Sequence, residues 1–572
     1  ELACRDRQTN LPVSGSGGEH WCVNCHAPLE NLSRVMPPWE GRAGGSARSR
    51  LPVRDLLGDA EMEGISCAFC HQVHGPVGPK SARGYQGNPS WTSFVTGAIF
   101  SARPEDRRGE LGISNSGYDL DPSSFLVPRG QLADSPAGVH LAPSEAQRDY
   151  LRSSRFCGAC HDVRLFGSDV VGATRGEHFK RLRNAYSEWE AWAEGERRSG
   201  RTPASCQDCH MSAFPGVCLE REGAPGDRGC PPGTVFEPRA PGERPEGLAA
   251  VASRSSRPVS THYFSGVDLP LSHAYPAGLI DEAALDAARI PLSSRARRDM
   301  LLAHSFRFEL GRASLGAGRL ELPVIVENVG AGHRIPAGFS QEREFWVHLR
   351  VSDARGRTVY EVGKVERADE DLRDKIFERV NTDPNRLDAG GRPIGLFGAD
   401  VRDGPDVPRW SPPPDAGGTL FRGRGLVNFQ NGFQRCVRCI GVLGADGRCE
   451  PGPGQGRTRA DRFDDGDYDL DTGACRSNLS GREALFETYF PVGALDASRG
   501  LAKAPDAIID TRSLPPRVPT TYVYELDLRG AALPLRAEAR LLFRAFPPFL
   551  IRAFADYERE IHRLHQKIEA GA

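Results

Sequence analysis

The sequence predicts an α+β protein in which a largely irregular, short-helical N-terminal region precedes an antiparallel β-sandwich with a long loop-rich insertion. Three observations lead to this prediction. Four copies of one cysteine–histidine motif lie within the first 210 residues. The 64 Gly and 44 Pro indicate much irregular structure. After about residue 311, apolar residues alternate with a period of two, which is typical of strands with one buried face.

The repeated motif is C-x-x-C-H, and its copies are called the first to fourth motifs in chain order. Each copy supplies two cysteines one helical turn apart and a histidine directly after the second. This is the attachment signal of a c-type haem: the thiols add across the two vinyl groups of one porphyrin, and the histidine becomes the proximal iron ligand. The sequence therefore predicts four covalently bound haems on the following residues: Cys22, Cys25 and His26; Cys67, Cys70 and His71; Cys157, Cys160 and His161; Cys206, Cys209 and His210.

Cysteine pairs with this spacing also occur in two other kinds of site. A C-x-x-C pair also forms half of many zinc sites, and it is the redox pair of thioredoxin-like proteins. Neither interpretation explains why a histidine follows the second cysteine in all four copies. Haem attachment is the interpretation that accounts for every residue of the pattern.

Residues 1–310 are predicted to form the tetrahaem domain, with short helices around the motifs. Ser144 and Gln147 match a capping box, which predicts a helix running toward the third motif. Residues 178–197 have an amphipathic pattern that predicts a helix leading to the fourth. A further helix is expected around residues 281–304, where the domain closes.

Residues 311–572 are predicted to form the β-sandwich domain. A long insertion, rich in Gly, Pro and Asp, occupies about 365–515. The chain is expected to end in an amphipathic helix whose apolar stripe spans residues 554–564. Strands are predicted where apolar residues alternate, at 320–326, 345–351 and 522–528, and near 537–546.

The remaining seven cysteines agree with an oxidising compartment. Cys218 and Cys230 bracket a Gly/Pro-rich loop and are predicted to form a disulfide. Cys4 is expected to have a disulfide partner as well. Two disulfides, or alternatively a zinc site, are predicted for the cysteines of the insertion, which are Cys436, Cys439, Cys449 and Cys475.

An acidic run within the insertion, Asp464–Asp471, concentrates carboxylates as a calcium-binding loop does. It lacks the complete EF-hand spacing, including the closing Glu. Both a solvated acidic loop and a Ca²⁺ site are therefore consistent with this run.

Charge and hydropathy limit the possible partners and location. The formal net charge of −2 gives no indication of nucleic-acid binding. No apolar run approaches the length of a membrane span. The chain begins at Glu1 without an initiator Met, which fits an exported protein whose signal peptide has been removed. Covalent haem attachment also takes place outside the cytoplasmic membrane, so a periplasmic or extracellular location is expected.

The order of several stretches resembles exported multihaem c-type cytochromes in which a haem domain precedes a β-sandwich, a family related to cytochromes that form extracellular filaments. Their order along the chain makes the resemblance more specific than any one of them does. It covers the haem domain and the start of the sandwich, but not the insertion. The stretches are Glu63–His71, Phe156–Val163, Glu188–Trp189 followed by Ser205–Met211, and the loop Asn328–Gly338.

This resemblance implies that His140, His262 and His333 are distal haem ligands. For His333 the sequence gives separate support, because Gly332 before it and Pro336 after it favour a tight loop that presents one side chain. The 15 His of the chain are enough for every iron to have two imidazole ligands.

The fourth distal ligand has two candidates. His20 lies two residues before Cys22, so it is held beside the first haem and could reach a neighbouring one. His74 lies one helical turn after the proximal His71, where it could ligate only an adjacent haem. The two histidines compete for a single position.

The sequence is consistent with three functions. Closely spaced haems with two histidine ligands favour electron transfer, either as a carrier between redox partners or extracellular acceptors, or as a subunit of a self-assembling filament. The alternative is a redox enzyme acting on a small nitrogen or sulfur compound, which requires an open axial position. In a third view, the sandwich is a binding or adhesion module and the haems are accessory.

Overall fold

The computed structural model describes most of the chain between residues 140 and 367, the strands near residue 520 to 545, and shorter stretches elsewhere. It divides into two compact units, the first formed by residues 1–164 and 183–306 and the second by residues 165–182 and 307–572. The described residues are 25–29, 64–76, 86–87, 91–92, 99–100, 117–121, 125–126, 140–166, 179–183, 185–227, 229–244, 246–247, 257–258, 262, 264–266, 294–338, 343–367, 372, 375–379, 396–400, 419–423, 426–429, 432–438, 442–443, 449–450, 480–485, 508–510, 513–545 and 548.

The fold is mixed α+β, with short helices in the N-terminal part and antiparallel sheets toward the C-terminus, which confirms the predicted fold class. Among the described residues, none of the helices combines the length and hydrophobicity that a membrane span requires. The helices are α1 (Cys67–Gln72), α2 (Glu145–Arg152), α3 (Ser154–Gly158), α4 (Ala185–Arg198), α5 (Cys206–His210) and α6 (Ser294–Ser305).

Short strands connect the helices in the N-terminal part of the chain. They are β1 (Val73–Pro76), β2 (Gln86–Gly87), β3 (Trp91–Thr92), β4 (Ile99–Phe100), β5 (Gly117–Leu120), β6 (Phe125–Leu126), β7 (His140–Leu141), β8 (Val163–Phe166), β9 (Phe179–Arg183), β10 (Gly216–Glu220), β11 (Thr234–Pro238), β12 (Glu246–Gly247) and β13 (Arg257–Pro258).

A small apolar core joins the second and third motifs within the first unit. Phe69 lies inside α1 and is 2% exposed, and Tyr118 of β5 packs edge-on against it at 5.2 Å between ring centroids. Tyr150 and Ala159, next to the third motif, belong to the same buried cluster. Aromatic side chains each bury a large apolar area, so a few of them stabilise a region whose helices are only one or two turns long.

Longer strands form the second unit. They are β14 (Phe306–Leu310), β15 (Ser314–Gly316), β16 (Arg319–Asn328), β17 (Glu344–Ser352), β18 (Thr358–Val362), β19 (Lys375–Arg379), β20 (Leu396–Asp400), β21 (Thr419–Gly423), β22 (Gly432–Arg438), β23 (Val442–Leu443), β24 (Cys449–Glu450), β25 (Ser480–Leu485), β26 (Ile508–Asp510), β27 (Thr520–Asp527) and β28 (Arg536–Arg544).

Two of the sheets face each other as the predicted sandwich. One sheet has the strand order β14-β16-β27-β21, with β15 paired to β16, and the other has the order β18-β17-β28. Ring contacts cross between them: Tyr360 of β18 lies 6.2 Å from Tyr524 of β27, and Phe429 contacts Phe345 at 4.9 Å and Tyr522 at 5.8 Å. All four predicted strands are present. Side chains of β16, β17 and β27 fill this core, whereas the residues of β28 are half-buried or exposed.

Three predicted helices of the N-terminal region can be compared with the structure. The capped helix is confirmed as α2, with both hydrogen bonds of the Ser144 capping box. The helix expected over 178–197 is wrong at its start, where β9 occupies Phe179–Arg183 and α4 begins at Ala185. Two apolar residues among five fix no period, so sheet pairing determined this short stretch. The helix around 281–304 is observed as α6, and the part before residue 294 lies outside the described residues.

The insertion contributes a strand to the sandwich. β21 pairs in parallel with β27, with Thr419 opposite Thr520 and Gly423 opposite Tyr524. A Gly/Pro/Asp-rich composition gave no indication of this pairing. The predicted C-terminal helix over 554–564 and the acidic run Asp464–Asp471 lie outside the described residues.

One buried ion pair joins β17 to β28 in the second unit. Glu344 lies opposite Arg544 in register and its side chain is 0% exposed. The Arg544 Nε donates to Glu344 Oε2 at 2.8 Å, and the guanidinium lies 5.4 Å from the Trp346 ring centroid. Removing one partner of such a pair leaves the other charge buried, which is strongly destabilising.

We therefore expect Arg544→Met to lower the free energy of unfolding by about 3–5 kcal/mol, measured by urea unfolding followed by circular dichroism. The matched control is Arg536→Met at the other end of β28, where the Arg536–Glu538 pair is 78% and 45% exposed. Solvent screening limits that control to about 1 kcal/mol or less. Equal effects of the two substitutions would contradict this account of the buried pair.

Candidate functional site

Short capped helices carry the cysteines of the second and fourth motifs. The Ser66 hydroxyl accepts a hydrogen bond from the Phe69 amide and starts α1 at Cys67. At α5, Ser205 and Asp208 form a complete capping box, with bonds of 3.1 Å and 2.8 Å. Since residues three apart in a helix lie on one face, each cap directs a cysteine pair to the same side. Of the first motif, Cys25 and His26 are described and Cys22 is not.

Two of the proximal histidines are oriented by hydrogen bonds from their Nδ1 atoms. His71 Nδ1 lies 2.9 Å from the Leu126 carbonyl oxygen, and His210 Nδ1 lies 2.6 Å from that of Ser265. An Nδ1–H that donates to a carbonyl fixes the tautomer with the lone pair on Nε2, the atom that binds a metal. Burial lowers the pKa of His210, which favours the same neutral form.

The His262 ring lies beside the His71 ring. Their centroids are 6.4 Å apart and their planes differ by 27°. A histidine nitrogen binds a first-row metal at about 2 Å and lies about 1.1 Å from its ring centroid, so two imidazoles on opposite sides of one metal ion have centroids about 6.2 Å apart. The observed centroid separation is close to this distance.

The short segment that carries His262 also contacts the fourth motif. Ser265 is 4% exposed, and its backbone amide donates to the His210 carbonyl at 2.9 Å while its own carbonyl accepts from His210 Nδ1. The His262 side chain and the Ser265 backbone thus contact the second and fourth motifs, respectively.

The third motif is fixed against the start of α4. The Tyr186 amide donates to the His161 carbonyl at 3.1 Å, and the Ser187 hydroxyl donates to both carboxylate oxygens of buried Asp162, at 2.7 and 2.6 Å. Gly158, between the two cysteines, lies under the Tyr186 ring. A Cβ at position 158 would approach that ring to 2.5 Å, so only glycine allows this packing.

The third and fourth motifs contact each other directly. The Cys206 amide donates to the Ser154 hydroxyl at 3.0 Å, and the Gln207 side chain donates to the Ser153 carbonyl at 2.7 Å. A hydrogen bond between the Cys157 and Cys206 thiols, together with burial, raises the pKa of Cys157 well above its usual range. Thioethers do not titrate, so what persists after haem attachment is the proximity of the two sulfur atoms.

The second and third motifs are also neighbours. The Tyr118 hydroxyl lies 3.2 Å from Cys160 Sγ and 3.4 Å from the Phe156 carbonyl oxygen. Burial raises the pKa of Cys70 to about 12, with the nearby Cys160 thiol as the next contribution. The Cys25 thiol of the first motif in turn contributes to the raised pKa of Tyr118, after burial and Cys160. The second, third and fourth motifs therefore pack against one another, and the Cys25 thiol of the first lies near enough to affect Tyr118.

The other candidate ligands have different positions. His74 lies in β1, and its Nδ1 is 3.1 Å from Gln147 Nε2. The backbone of His140 belongs to β7, opposite Phe125 of the strand whose Leu126 carbonyl contacts His71. The His140 side chain and all of His20 lie outside what the structure describes.

His333 lies in a loop of the second unit that is held by its neighbours. Its carbonyl accepts from Asn328 Nδ2 at 2.7 Å, and its Nδ1 lies 2.9 Å from the Arg334 carbonyl oxygen. Ile335 forms a two-way backbone pair with Leu514. The tight loop expected from Gly332 and Pro336 is therefore present, and its role as an iron ligand stays a prediction.

One of the predicted disulfides lies within the described residues. The disulfide between Cys218 and Cys230 is confirmed. The remaining ones concern side chains outside the described residues: Cys4, Cys436, Cys439, Cys449 and Cys475.

Several residues of the site were not found from the sequence. Leu126 and Ser265 act through backbone carbonyls, which any residue could supply. Tyr118 and Gln207 act through side chains, but nothing in their spacing connects them to a motif. The Ser205–Asp208 pair was not predicted either, although Ser followed three residues later by an acidic residue is a recognisable helix-start pattern.

The chain matches no known protein family and no curated protein. Among solved structures, it is similar to the crystal structure of a penta-heme cytochrome c552 from Thermochromatium tepidum. The similarity has a TM-score of 0.37 and 15% sequence identity, and it covers 97% of this chain and 86% of that chain.

We expect Gly158→Ala to destabilise the first unit by about 1–3 kcal/mol, because the added methyl group overlaps the Tyr186 ring. Urea unfolding measures the loss, and haem content per polypeptide reports damage to the third motif. The matched control is Gly195→Ala in α4, where a Cβ meets nothing within 4 Å. Alanine favours a helix there, so that variant should be as stable as the parent or more so. A stable Gly158→Ala variant would contradict the close packing.

Proposed function

We propose that this protein transfers electrons through four covalently bound c-type haems. The observation that carries the proposal is the convergence of the C-x-x-C-H motifs. The Cys206 amide donates to Ser154 at 3.0 Å, and Tyr118, packed on Phe69 of the second motif, lies 3.2 Å from Cys160 Sγ. A thioether sulfur is two bonds from the porphyrin ring, so contacts between such sulfurs bring neighbouring macrocycles close together. Successive short steps between sites are what an electron carrier requires.

The residues present fit the proposed cofactor. When bound, a c-type haem supplies an iron that gains and loses one electron. The protein contributes the capped helices that hold the cysteine pairs, and the carbonyls of Leu126 and Ser265 that orient the proximal histidines. The proximal ligands in this proposal are His26, His71, His161 and His210.

The distal ligands complete the proposal. The spacing of the rings supports His262 as the second ligand at the second motif. His140 and His333, with either His20 or His74, are proposed for the other irons. Two imidazoles per iron give low-spin centres whose geometry changes little on reduction, which favours electron transfer over substrate binding.

Export to the periplasm or the cell surface is part of the proposal. It is supported by the Cys218–Cys230 disulfide and by the chemistry of haem attachment. The proposed partners are redox proteins or extracellular acceptors. Self-assembly into a filament is the more specific form of the proposal, and sedimentation at high protein concentration tests it: a single monomeric species would contradict the filament.

The function is tested on the purified holoprotein. Four haems per chain should survive acid–acetone extraction, and an electron paramagnetic resonance spectrum of the oxidised protein should show low-spin ferric signals throughout. A protein without covalently bound haem would overturn the proposal. A high-spin ferric signal that responds to added small nitrogen or sulfur compounds would favour the enzyme instead.

Replacing His262 tests the ligand assignment. We expect His262→Ala to convert one of the four low-spin irons to a high-spin signal, because the second motif loses an axial nitrogen. The matched control is His348→Ala in β17, whose Nε2 bonds Glu361 at 3.0 Å in the second unit. The control should keep the spectrum of the parent. An unchanged spectrum in His262→Ala would show that another residue ligates that iron.

A further inference from the structure

A fully buried arginine contacts the fourth motif. Arg297 of α6 is 0% exposed. Its guanidinium donates hydrogen bonds to the backbone carbonyls of Cys209 at 3.0 Å, Gly216 at 3.0 Å and Ala213 at 3.3 Å. It also donates to the carbonyl of Phe214. Since a guanidinium stays protonated in proteins, a permanent positive charge lies inside the fold directly beside this motif.

The charge lies within one peptide unit of a residue that would hold the cofactor. The Cys209 carbonyl that accepts from Arg297 belongs to the peptide bond that links Cys209 to His210. Because the guanidinium is fully buried, little water screens its charge from this peptide and from a group bound beside it.

We propose that Arg297 raises the reduction potential of the haem iron at the fourth motif. The inference rests on the proposed function, because it requires a haem on Cys206 and Cys209. Ferric haem carries one more positive charge than ferrous haem, so repulsion from the guanidinium disfavours the oxidised state. One electron enters the iron on reduction, and Arg297 itself loses no proton and forms no new bond. The charge therefore favours residence of the electron at the fourth site.

Arg297 also holds the turn after α5 through its four hydrogen bonds, and the test must separate this role from the effect of its charge. A lysine keeps the positive charge but replaces the planar set of donors with one ammonium group. Glutamine keeps a donor without charge, and methionine provides similar length with neither. If Arg297 acts through its charge, the reduction potential depends on whether the side chain at position 297 is positively charged. If it acts by holding the turn, the potential depends on the number of hydrogen-bond donors.

The experiment is a potentiometric titration of the holoprotein, followed by optical and paramagnetic resonance spectra. The redox step of the fourth haem is identified as the one whose midpoint potential changes when His210→Met is introduced. In Arg297→Gln and Arg297→Met, we expect the electron occupancy of that site to fall on the order of tenfold relative to the others. This corresponds to a decrease of about 59 mV in its reduction potential, for a one-electron couple. Arg297→Lys should keep most of the parental value. The control Arg298→Gln removes a neighbouring charge that pairs with Asp299 at 3.3 Å, and it should leave all four steps unchanged.

Each outcome decides the inference. If Lys, Gln and Met shift the fourth step equally, or if none shifts it, Arg297 does not act through its charge. If the Gln variant does not retain four haems, Met and Lys provide the comparison. If the parent protein itself shows no haem redox steps, the proposed function fails. If it shows four steps that are insensitive to Arg297, only the present inference fails.

Discussion

The contact between cysteines of different C-x-x-C-H motifs is the constraint on which the first unit depends. Two thiols that bind one porphyrin must lie one turn apart, so each motif needs a short helix with a fixed start. The caps of Ser66 and Ser205 provide those starts. Packing then has to bring the helices together edge to edge, and Tyr118, Gln207 and Ser154 do so with few apolar residues.

The second unit is stabilised differently. Its core is made of alternating side chains from two facing sheets, and it requires no cofactor to exclude water. The buried Glu344–Arg544 pair fixes β17 against β28 at one end of their shared register. The two units thus combine a region of short helices held mainly by side-chain hydrogen bonds with one that depends on the hydrophobic effect.

The features that could be predicted are those that fix the spacing or the period of residues along the chain. The attachment residues could be predicted because haem chemistry fixes the spacing of such residues along a chain. The sandwich strands were predicted correctly because burial of one face imposes a period of two. Leu126 and Ser265 could not be found, since a carbonyl carries no sequence signal. Arg297 lies far from Cys209 in sequence, and an arginine in a helix is ordinarily solvated. The strand at 179–183 was missed because five residues are too few to fix a period.

The position of His262 in the chain has a consequence for maturation. A polypeptide that crosses a membrane N-terminus first exposes Cys67 and Cys70 to the attachment machinery long before residue 262 emerges. During that interval the His71 ring would lack the His262 ring beside it, and the Ser265 backbone would not yet accept the hydrogen bond of His210. Arrival of this one segment completes the surroundings of the second and fourth motifs together, so neither motif reaches its final packing before residue 265 has emerged.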